Sequence, residues 1–379
     1  MSSLLLRRRA ALAAQLADEA EGGGANDGKY VVCRWNVGNT NNRRYSNNFG
    51  MSFNDSNLTA PIFPPNSCNF DIGSDGMMYS CVVSNFRKAS VSASAATQTS
   101  SLNPNMTGTC KAIITSTDCT KFGTKDSGTT FRVWNSGSTV TSHTIPASNW
   151  ANLACGHYLD GNRDTLQYLI ACENGQAGWI GTGASTASLF SSDGGSSWIS
   201  VKELLFGSQS VGTFKFVTSK FSNDGKYCAV MCSTGSSDAR MVYWSSDYCS
   251  TFQKVNLPTV PDPATFNNFK ASDKFKTWYL AGRVTSGSAT RVGTIWKSTD
   301  KGNTWQVIKQ ADAANKGTYF LCNDAGDKLV MFASSASNAN CLISYSHDYG
   351  ATWSSSGFTA QAPLSQSFRW CMSKDSYNV

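Results

Sequence analysis

Five residues have side chains suited to binding an anionic or sugar-like ligand, and they fall within or beside long predicted loops. A guanidinium group forms paired hydrogen bonds with a carboxylate, and an indole ring attracts cations to its face. Taken singly, each is better explained as an ordinary surface arginine or a packed tryptophan, and only a shared face makes them a candidate site. The residues are Arg43, Arg44, Trp179, Arg240 and Arg291.

The sequence offers few residues for catalysis. It contains four glutamates, of which Glu19 and Glu21 lie near the N-terminus. No Gly-rich phosphate loop, GxSxG elbow or HExxH pattern occurs, and the three histidines are scattered. We therefore predict no catalytic residue, no metal site and no cofactor. Weak calcium binding by turn aspartates stays open, although Asp27, Asp75 and Asp224 each stand singly before glycine, as hairpin turns require.

One short pattern recurs along the chain, Ser/Thr-x-Asp-x-Gly-x-x-Trp/Phe. A carboxylate two residues before glycine can accept backbone N–H bonds across a tight turn, glycine supplies a positive φ, and the aromatic ring packs between sheets. One copy has Cys249 at the glycine position. We predict a structural role for the acidic or amide position of each copy, which is Asn48, Asp118, Asp193, Asp247, Asp300 and Asp348.

The pattern resembles the Asp box of sialidases and other bacterial-neuraminidase-repeat propellers, from about Asp27 onward. The resemblance implies a β-propeller whose box turns lie on the face opposite its binding site. For a sialidase it also implies three substrate-binding arginines, a Tyr/Glu nucleophilic pair and an Asp acid/base. The stretch from Ala60 to Pro64, nearest to the family's Arg-Ile-Pro segment, contains no arginine, which argues against that activity. The remaining candidates for it are Arg132, Arg283, Arg369 and Glu173.

The spacing of the pattern predicts an all-β, six-bladed propeller. From Asp193 onward the copies recur at roughly 50 residues, which suits four short strands per unit. The first two intervals are longer, and we expect loop insertions there. Either Asp118 or Asp126 belongs to the second unit, because the two copies lie too close together for both to complete a blade.

Strand and turn signals complete the predicted fold. Aromatic and β-branched residues favour strands over Tyr227 to Cys232, Thr277 to Ala281 and Lys328 to Phe332. Asp-Gly pairs upstream predict hairpin turns between first and second strands. The segment Ser367 to Met372 resembles a first strand whose partners lie at Tyr30 to Phe53, so we expect the ring to close by pairing of the chain's two ends.

Strand order predicts that the Asp-Gly turns and the box turns share one face, and that the long loops share the opposite, distal face. Long irregular loops on a rigid scaffold are common binding regions. The loops in question are 36–44, 54–66, 85–108, 135–150 and 173–188.

Composition agrees with such a domain. Charged residues make up 15% of the chain and the net charge is +7, without the basic and aromatic interleaving expected for nucleic-acid binding. The 13 cysteines show no paired spacing, and several fall in apolar strands. Reduced thiols of a protein that folds in a reducing cytoplasm are the better interpretation.

The first 21 residues favour a helix capped by Ser2 or Ser3, followed by a glycine-rich linker over 22–26 and the propeller over 27–379. Arg7, Arg8 and Arg9 interrupt the apolar run, which excludes a good signal peptide. No stretch predicts membrane insertion. A docking or oligomerising helix is our interpretation, and a frayed tail is the alternative.

The leader from Leu4 to Ala10 resembles the starts of virion proteins from tailed phages of gut Bacteroidales, including crAss-like phages. The resemblance implies a non-enzymatic virion component, folded in the host cytoplasm and carried as a tail fibre, collar or other appendage. Its expected partners are other virion proteins, bound through the helix, and a host surface glycan or protein; we also expect an oligomer in the particle. A sialidase-like hydrolase and a cytoplasmic protein-binding scaffold are the alternatives.

Overall fold

The chain forms a β-propeller, as predicted. The computed structural model describes residues 27–37, 40–55, 70–82, 85–90, 110–126, 129–135, 140–146, 158–172, 188–234, 239–260, 266–286, 290–311, 315–335, 341–360, 369–372 and 375–378. The predicted helix over 1–21 and the linker over 22–26 lie outside the described residues. No helix in the described part is long and apolar enough to cross a membrane.

The described strands form antiparallel sheets, numbered I to VII along the chain. Sheet I contains β28 (Asp375–Asn378), β27 (Arg369–Met372), β1 (Val31–Val37), β2 (Thr40–Ser46) and β3 (Asn54–Asp55). Sheet II contains β4 (Phe70–Ile72), β5 (Met77–Val82) and β6 (Asn85–Ser90). Sheet III contains β7 (Cys110–Thr115), β8 (Lys121–Asp126), β9 (Thr130–Asn135) and β10 (Thr141–Thr144).

The remaining sheets have four strands each. Sheet IV contains β11 (Tyr158–Gly161), β12 (Leu169–Cys172), β13 (Ser188–Ser191) and β14 (Ile199–Ser200). Sheet V contains β15 (Phe214–Phe221), β16 (Cys228–Thr234), β17 (Arg240–Ser245) and β18 (Gln253–Lys254). Sheet VI contains β19 (Phe266–Ala271), β20 (Trp278–Ser286), β21 (Thr290–Ser298) and β22 (Gln306–Gln310). Sheet VII contains β23 (Asn315–Cys322), β24 (Leu329–Ser335), β25 (Cys341–Ser346) and β26 (Ser354–Ala360).

The six predicted units correspond to the six sheets that have four or five strands, which are I and III to VII. Sheet II is an addition to them. It lies in the first long interval between copies of the pattern, where a loop insertion was expected, and no copy falls between its three described strands. First strands of neighbouring sheets contact one another in a closed cycle, in the order β27, β4, β7, β11, β15, β19, β23.

The ring closes through the two ends of the chain, as predicted. Strand β27 pairs with β1, with Val31 opposite Met372. Strand β28 then pairs with β27 and adds a fifth strand on its other side, which the sequence did not predict. Because the sheets form a closed cycle, the array has no terminal sheet to which another copy of the chain could add.

Hydrophobic clusters fill the spaces between neighbouring sheets. Between sheets V and VI, the rings of Trp244 and Trp278 meet at 5.3 Å between centroids, and Phe269 packs on the same indole. Between sheets II and III, Phe86 and Trp134 meet edge to face at 5.1 Å. Burying one such side chain contributes roughly 1.5–3 kcal/mol, so the apolar faces of the sheets hold the ring together.

One helix lies in the described part of the chain and was not predicted. Helix α1 (Val201–Phe206) joins the last strand of sheet IV to the first strand of sheet V. Ser200 caps its first turn by accepting the Lys202 N–H. Val201 is buried, and Phe206 packs against Phe214 and Tyr243.

Candidate functional site

Five copies of the pattern form the same turn, between the third and fourth strands of sheets I, IV, V, VI and VII; we call it the repeat turn. In sheet VII, Ser346 Oγ donates to Asp348 Oδ1 at 2.7 Å and accepts the Gly350 N–H at 2.9 Å. Asp348 in turn accepts the Thr352 N–H at 2.9 Å. The serines of the five turns are Ser46, Ser191, Ser245, Ser298 and Ser346.

These hydrogen bonds commit the repeat-turn carboxylates to the turn itself. Side-chain bonds from Thr251, Thr304 and Thr352 are the main causes that lower the pKa values of Asp247, Asp300 and Asp348 to about 2. A carboxylate that already accepts several N–H and O–H bonds has little capacity left for a ligand. The geometry therefore gives these aspartates a local structural task.

Asp118 departs from the prediction, because it lies between the first and second strands of sheet III. Ser116 Oγ donates to Asp118 Oδ1 at 2.6 Å, as Ser222 Oγ does to Asp224 at the same place in sheet V. Asp126 ends β8 and pairs with Arg132 at 3.3 Å. Neither aspartate occupies a repeat turn, and the third-to-fourth connection of sheet III, residues 136–139, lies outside the described residues.

The turns between first and second strands build a second feature, at the axis of the ring. In sheets III to VII each turn begins with Ser or Asn, whose side chain accepts an N–H from the start of the second strand; Asn162 Oδ1, for example, accepts the Tyr168 N–H at 2.7 Å. In sheet II the same position is Gly73. The next residue of each turn contacts a neighbouring sheet. These contacting residues, with Asp27 of sheet I, form what we call the axial ring: Asp27, Ser74, Thr117, Arg163, Asn223, Asp273 and Asp324.

Hydrogen bonds pass along the axial ring from sheet to sheet. Ser74 Oγ donates to Thr117 O at 2.6 Å, and the Thr117 N–H donates to Arg163 O at 2.8 Å. The Asn223 N–H donates to Asp273 Oδ1 at 2.5 Å, and the Asp273 N–H donates to Asp324 O at 2.7 Å. The turns are thus linked by polar contacts as well as by the hydrophobic clusters.

Arg163 adds a link between sheets that are not neighbours. Its guanidinium reaches from sheet IV to the Asp71 carboxylate of sheet II, with distances of 2.9 and 3.2 Å. Thr115 of the intervening sheet III donates both its N–H and its hydroxyl to the same carboxylate, at 2.9 and 2.8 Å. Asp71 is 1% exposed. One buried carboxylate therefore joins three sheets.

Two buried carboxylates meet on the other side of the axial ring. Asn223 Nδ2 donates to Asp324 Oδ2 at 2.7 Å, and Lys220 Nζ lies 3.7 Å from Asp324 Oδ1. Burial, and then the nearby Asp324 charge, raises the pKa of Asp273 to about 6. Burial likewise raises the pKa of Asp160, which accepts the Ser219 hydroxyl at 2.8 Å.

Such raised carboxylates are suited to general acid chemistry, but Asp273 and Asp324 are closed off from solvent. Asp273 is 3% exposed and Asp324 is fully buried. Within the described residues, no three His, Cys, Asp or Glu side chains come together as a metal site. The arrangement links sheets V, VI and VII through buried polar contacts.

Two of the five predicted binding residues have described side chains. Arg240 begins β17 at the distal end, where its Nε donates to Phe266 O of sheet VI at 3.2 Å and its Nη1 to Ser233 Oγ at 3.1 Å. Arg44 lies within β2, opposite Asp55 of β3, and is half-buried. The structure does not bring these two together, because Arg44 lies two residues before a repeat turn.

The other three predicted binding residues are less fully placed. Arg43 lies in β2 and Arg291 in β21, opposite Thr285 near the distal end; their side chains are not described. Trp179 lies outside the described residues, as do all of 173–187. Arg240 and Arg291 thus lie at the start of the third strands of neighbouring sheets. The distal end of sheets V and VI therefore carries these two residues of the predicted site.

Asp27 fixes where the N-terminal segment joins the ring. Its carboxylate accepts the N–H groups of Asp324 and Ala325, both at 2.9 Å, and Asn323 Nδ2 at 2.9 Å. It is 4% exposed. These partners belong to the turn between the first and second strands of sheet VII, so residue 27 is held at the turn face, which is opposite the distal face.

The comparisons with known proteins show the fold. Residues 187–338 match the Sortilin-Vps10 family (sortilin, neurotensin receptor 3), which is less than half of the chain. No curated protein matches the sequence.

Solved structures with a similar fold include enzymes of different kinds. A putative 6-phosphogluconolactonase from Bacteroides fragilis has a TM-score of 0.52 at 12% identity, over 94% of this chain and 100% of that one. A chain from a study of two prolyl endopeptidases has a TM-score of 0.55 at 9% identity, over 91% of this chain and 55% of that one.

The GH74 xyloglucanase from Xanthomonas campestris has a TM-score of 0.49 at 15% identity, over 76% of this chain and 45% of that one. This chain therefore spans about half the length of the xyloglucanase and of the endopeptidase. At identities of 9% and 12%, the two structures with TM-scores above 0.5 show the fold alone, and many unrelated functions use the propeller architecture.

Proposed function

We propose that this chain is a non-enzymatic binding propeller of a tailed-phage particle, held through its N-terminal segment and presenting its distal face to a host surface glycan or protein. The observation that carries the proposal is the position of Asp27. Its three hydrogen bonds hold the start of the propeller at the turn face. A chain anchored through residues 1–26 would therefore direct its distal face away from the anchor.

The absence of an enzymatic role is part of the proposal, and the chemistry of the described residues supports it. Arg132, a candidate for the sialidase alternative, is 8% exposed and occupied by Asp126. The described part contains one glutamate, Glu203, exposed on helix α1. The carboxylates of Asp160, Asp273 and Asp324 are engaged with neighbouring sheets. Glu173, the remaining candidate for a nucleophilic pair, lies outside the described residues.

The ligand class follows from the residues at the distal end of sheets V and VI. Arg240 uses its Nε and one terminal nitrogen on protein acceptors. A guanidinium is a planar fork that pairs with carboxylates through parallel hydrogen bonds, so its chemistry suits an acidic sugar or a carboxylate-bearing surface. We propose that Arg240 and Arg291 contribute to such a contact, together with the loops that contain Trp179.

The test of the particle role is quantitative mass spectrometry of purified phage particles. We expect the polypeptide at a fixed copy number with residues 1–24 intact. A variant lacking residues 1–24 should fold, with an unchanged circular dichroism spectrum and Tm, but should not enter particles. A polypeptide that is absent from particles would contradict the role and favour the cytoplasmic scaffold; incorporation of the truncated variant would contradict the anchor.

The test of binding uses the full chain on a glycan array and on host cell envelopes. We expect Arg240→Ala to weaken retention several-fold, while Lys276→Ala, an exposed cation on the turn face, leaves it unchanged. Equal retention of the two variants would remove Arg240 from the site. Turnover of a sialoside that falls in Glu173→Gln would overturn the non-enzymatic proposal.

A further inference from the structure

Sheet V is the one sheet whose repeat turn has a side chain at the glycine position, among the five repeat turns described. Cys249 stands there with a φ of 64°, in the region where Gly50, Gly195, Gly302 and Gly350 have φ values of 81° to 93°. A left-handed conformation is unfavourable for a residue with a β-carbon, by about 1–2 kcal/mol. The position therefore holds a thiol at a conformational cost.

The residue that faces this position, at the start of the second strand, also differs in sheet V. In each sheet the repeat-turn serine pairs with the start of the second strand: Trp278 opposite Ser298 and Leu329 opposite Ser346. A β-carbon added to Gly302 or Gly350 would lie 3.3 Å from these same two side chains. The glycine position and the start of the second strand are thus in contact in the repeat turns of sheets VI and VII.

In sheet V both members of this contact are cysteine. Cys228 pairs with Ser245, and the Cys249 N–H donates to Ser245 Oγ at 3.0 Å. Both cysteines belong to the hydrophobic cluster between sheets IV and V. Cys228 is fully buried and Cys249 is 5% exposed.

We propose that Cys228 and Cys249 are a disulfide-forming pair, which oxidation by a small-molecule disulfide such as oxidised glutathione joins across the repeat turn of sheet V. One protein thiolate attacks the small disulfide and releases one of its thiolates. The second protein thiolate attacks the resulting mixed disulfide and releases the other. The protein loses two protons and two electrons, and the small disulfide accepts the two electrons.

The environment of the pair sets when this reaction occurs. Burial, and then the hydrogen bond from Cys249, raises the pKa of Cys228 well above its usual value. Because the thiolate is the attacking species, oxidation is slow at neutral pH and faster in alkaline solution. In a reducing cytoplasm both thiols stay reduced, so the bond forms only after the protein meets an oxidising solution. The crosslink closes a loop of roughly 20 residues, which stabilises the fold by restricting the unfolded chain.

The experiment treats the reduced full chain with oxidised glutathione at pH 8.5, blocks free thiols in denaturant, and maps linked peptides by mass spectrometry. We expect a peptide pair joining Cys228 to Cys249 and a rise in Tm of several degrees that dithiothreitol reverses. Cys232→Ala is the matched control, because Cys232 lies on the same strand and is equally buried. It should retain both effects.

Cys249→Gly should lose both effects while folding as well as the reduced parent, because it restores the residue found in the other repeat turns. Cys228→Ala should also lose them. A linked pair that involves a different cysteine, a stable glutathione adduct on Cys228 or Cys249, or complete blocking of both thiols after oxidation would each overturn the proposal. So would a Tm rise of equal size in Cys249→Gly.

Discussion

Arg163 and Asp71 form an ion pair across an entire intervening sheet, with the guanidinium of sheet IV held 2.9 Å from the carboxylate of sheet II. Thr115 of sheet III donates to the same carboxylate. The pair is 92 residues apart in sequence. It joins three consecutive sheets near the axis of the ring.

Replacing Arg163 by Met should destabilise the protein by about 3–5 kcal/mol, because Asp71 would be left charged and buried without its partner. Urea unfolding measures the loss. Lys88→Met is the comparison: the Lys88–Asp75 pair is about one-third exposed, and such a pair contributes about 1 kcal/mol or less. Equal losses in the two variants would mean that the Arg163 pair does not hold the sheets together.

The pKa of Asp273, raised to about 6, gives stability a definite pH dependence. The folded state binds a proton that the unfolded state, with its ordinary pKa near 3.8, has already released. Stability therefore falls as pH rises from about 4 to about 6, by up to about 3 kcal/mol, and stays lower above that.

Asp273→Asn should remove this dependence and raise the Tm at pH 7.5, since an amide oxygen can still accept the Asn223 N–H. Thermal unfolding from pH 4 to pH 8 measures it. Asp247→Asn should instead lower the Tm at pH 7.5. The pKa of Asp247 is lowered to about 2, so its carboxylate stabilises the fold at neutral pH. An unchanged profile in Asp273→Asn would contradict the assignment.

Thr352 controls the ionisation of Asp348. Its hydroxyl is the largest of the causes that hold the Asp348 pKa at about 2. Thr352→Val should raise that pKa toward its ordinary value, while Asp300, bonded to Thr304 in sheet VI, keeps a pKa of about 2. Carboxyl ¹³C NMR titration of the two aspartates measures both values. A parallel rise at Asp300 would show a global change rather than a local one.

Alanine substitutions at Gly302 and Gly207 distinguish the cost of backbone strain from the cost of steric collision. Both have positive φ, 82° and 57°. A β-carbon at Gly302 would collide with Val255 Cγ1, whereas a β-carbon at Gly207 meets nothing within 4 Å. Gly207→Ala should cost about 1–3 kcal/mol from backbone strain alone, because a φ of 57° with a ψ of −131° is a combination that residues with a β-carbon rarely adopt. Gly302→Ala should cost roughly 3 kcal/mol or more, and denaturant unfolding measures both. Equal costs would show that the sheet interface yields freely.

Local chemistry explains which parts of the fold were predictable. The hydrogen bonds of a repeat turn such as that of Asp193 join residues no more than four positions apart, so their pattern is visible in the sequence. Asp118 was misplaced because a first-to-second-strand turn also has a Ser-x-Asp sequence with the same hydroxyl-to-carboxylate bond. Sheet II went unnoticed because no copy of the pattern marks its three described strands.

The axial ring was not predictable from one sequence, because its contacts join residues far apart. A weak signal exists: Asn162-Arg163-Asp164, Ser222-Asn223-Asp224 and Ser272-Asp273-Lys274 each place Ser or Asn before a polar residue at the end of a first strand. The partners of each polar residue are set by the order in which the sheets follow one another around the ring. The ligand contacts proposed for Arg240 and Arg291 remain predictions for the same reason.

The pairing of β27 with β1 makes the order of synthesis part of the fold. Strands β1 to β3 leave the ribosome first, yet their sheet lacks its first strand until β27 follows at the other end of the chain. Sheets II to VII, built wholly from consecutive segments, can form in the meantime. An exposed edge of β1 thus persists throughout translation, and premature termination anywhere before β27 releases a chain whose unpaired strand is free to join another.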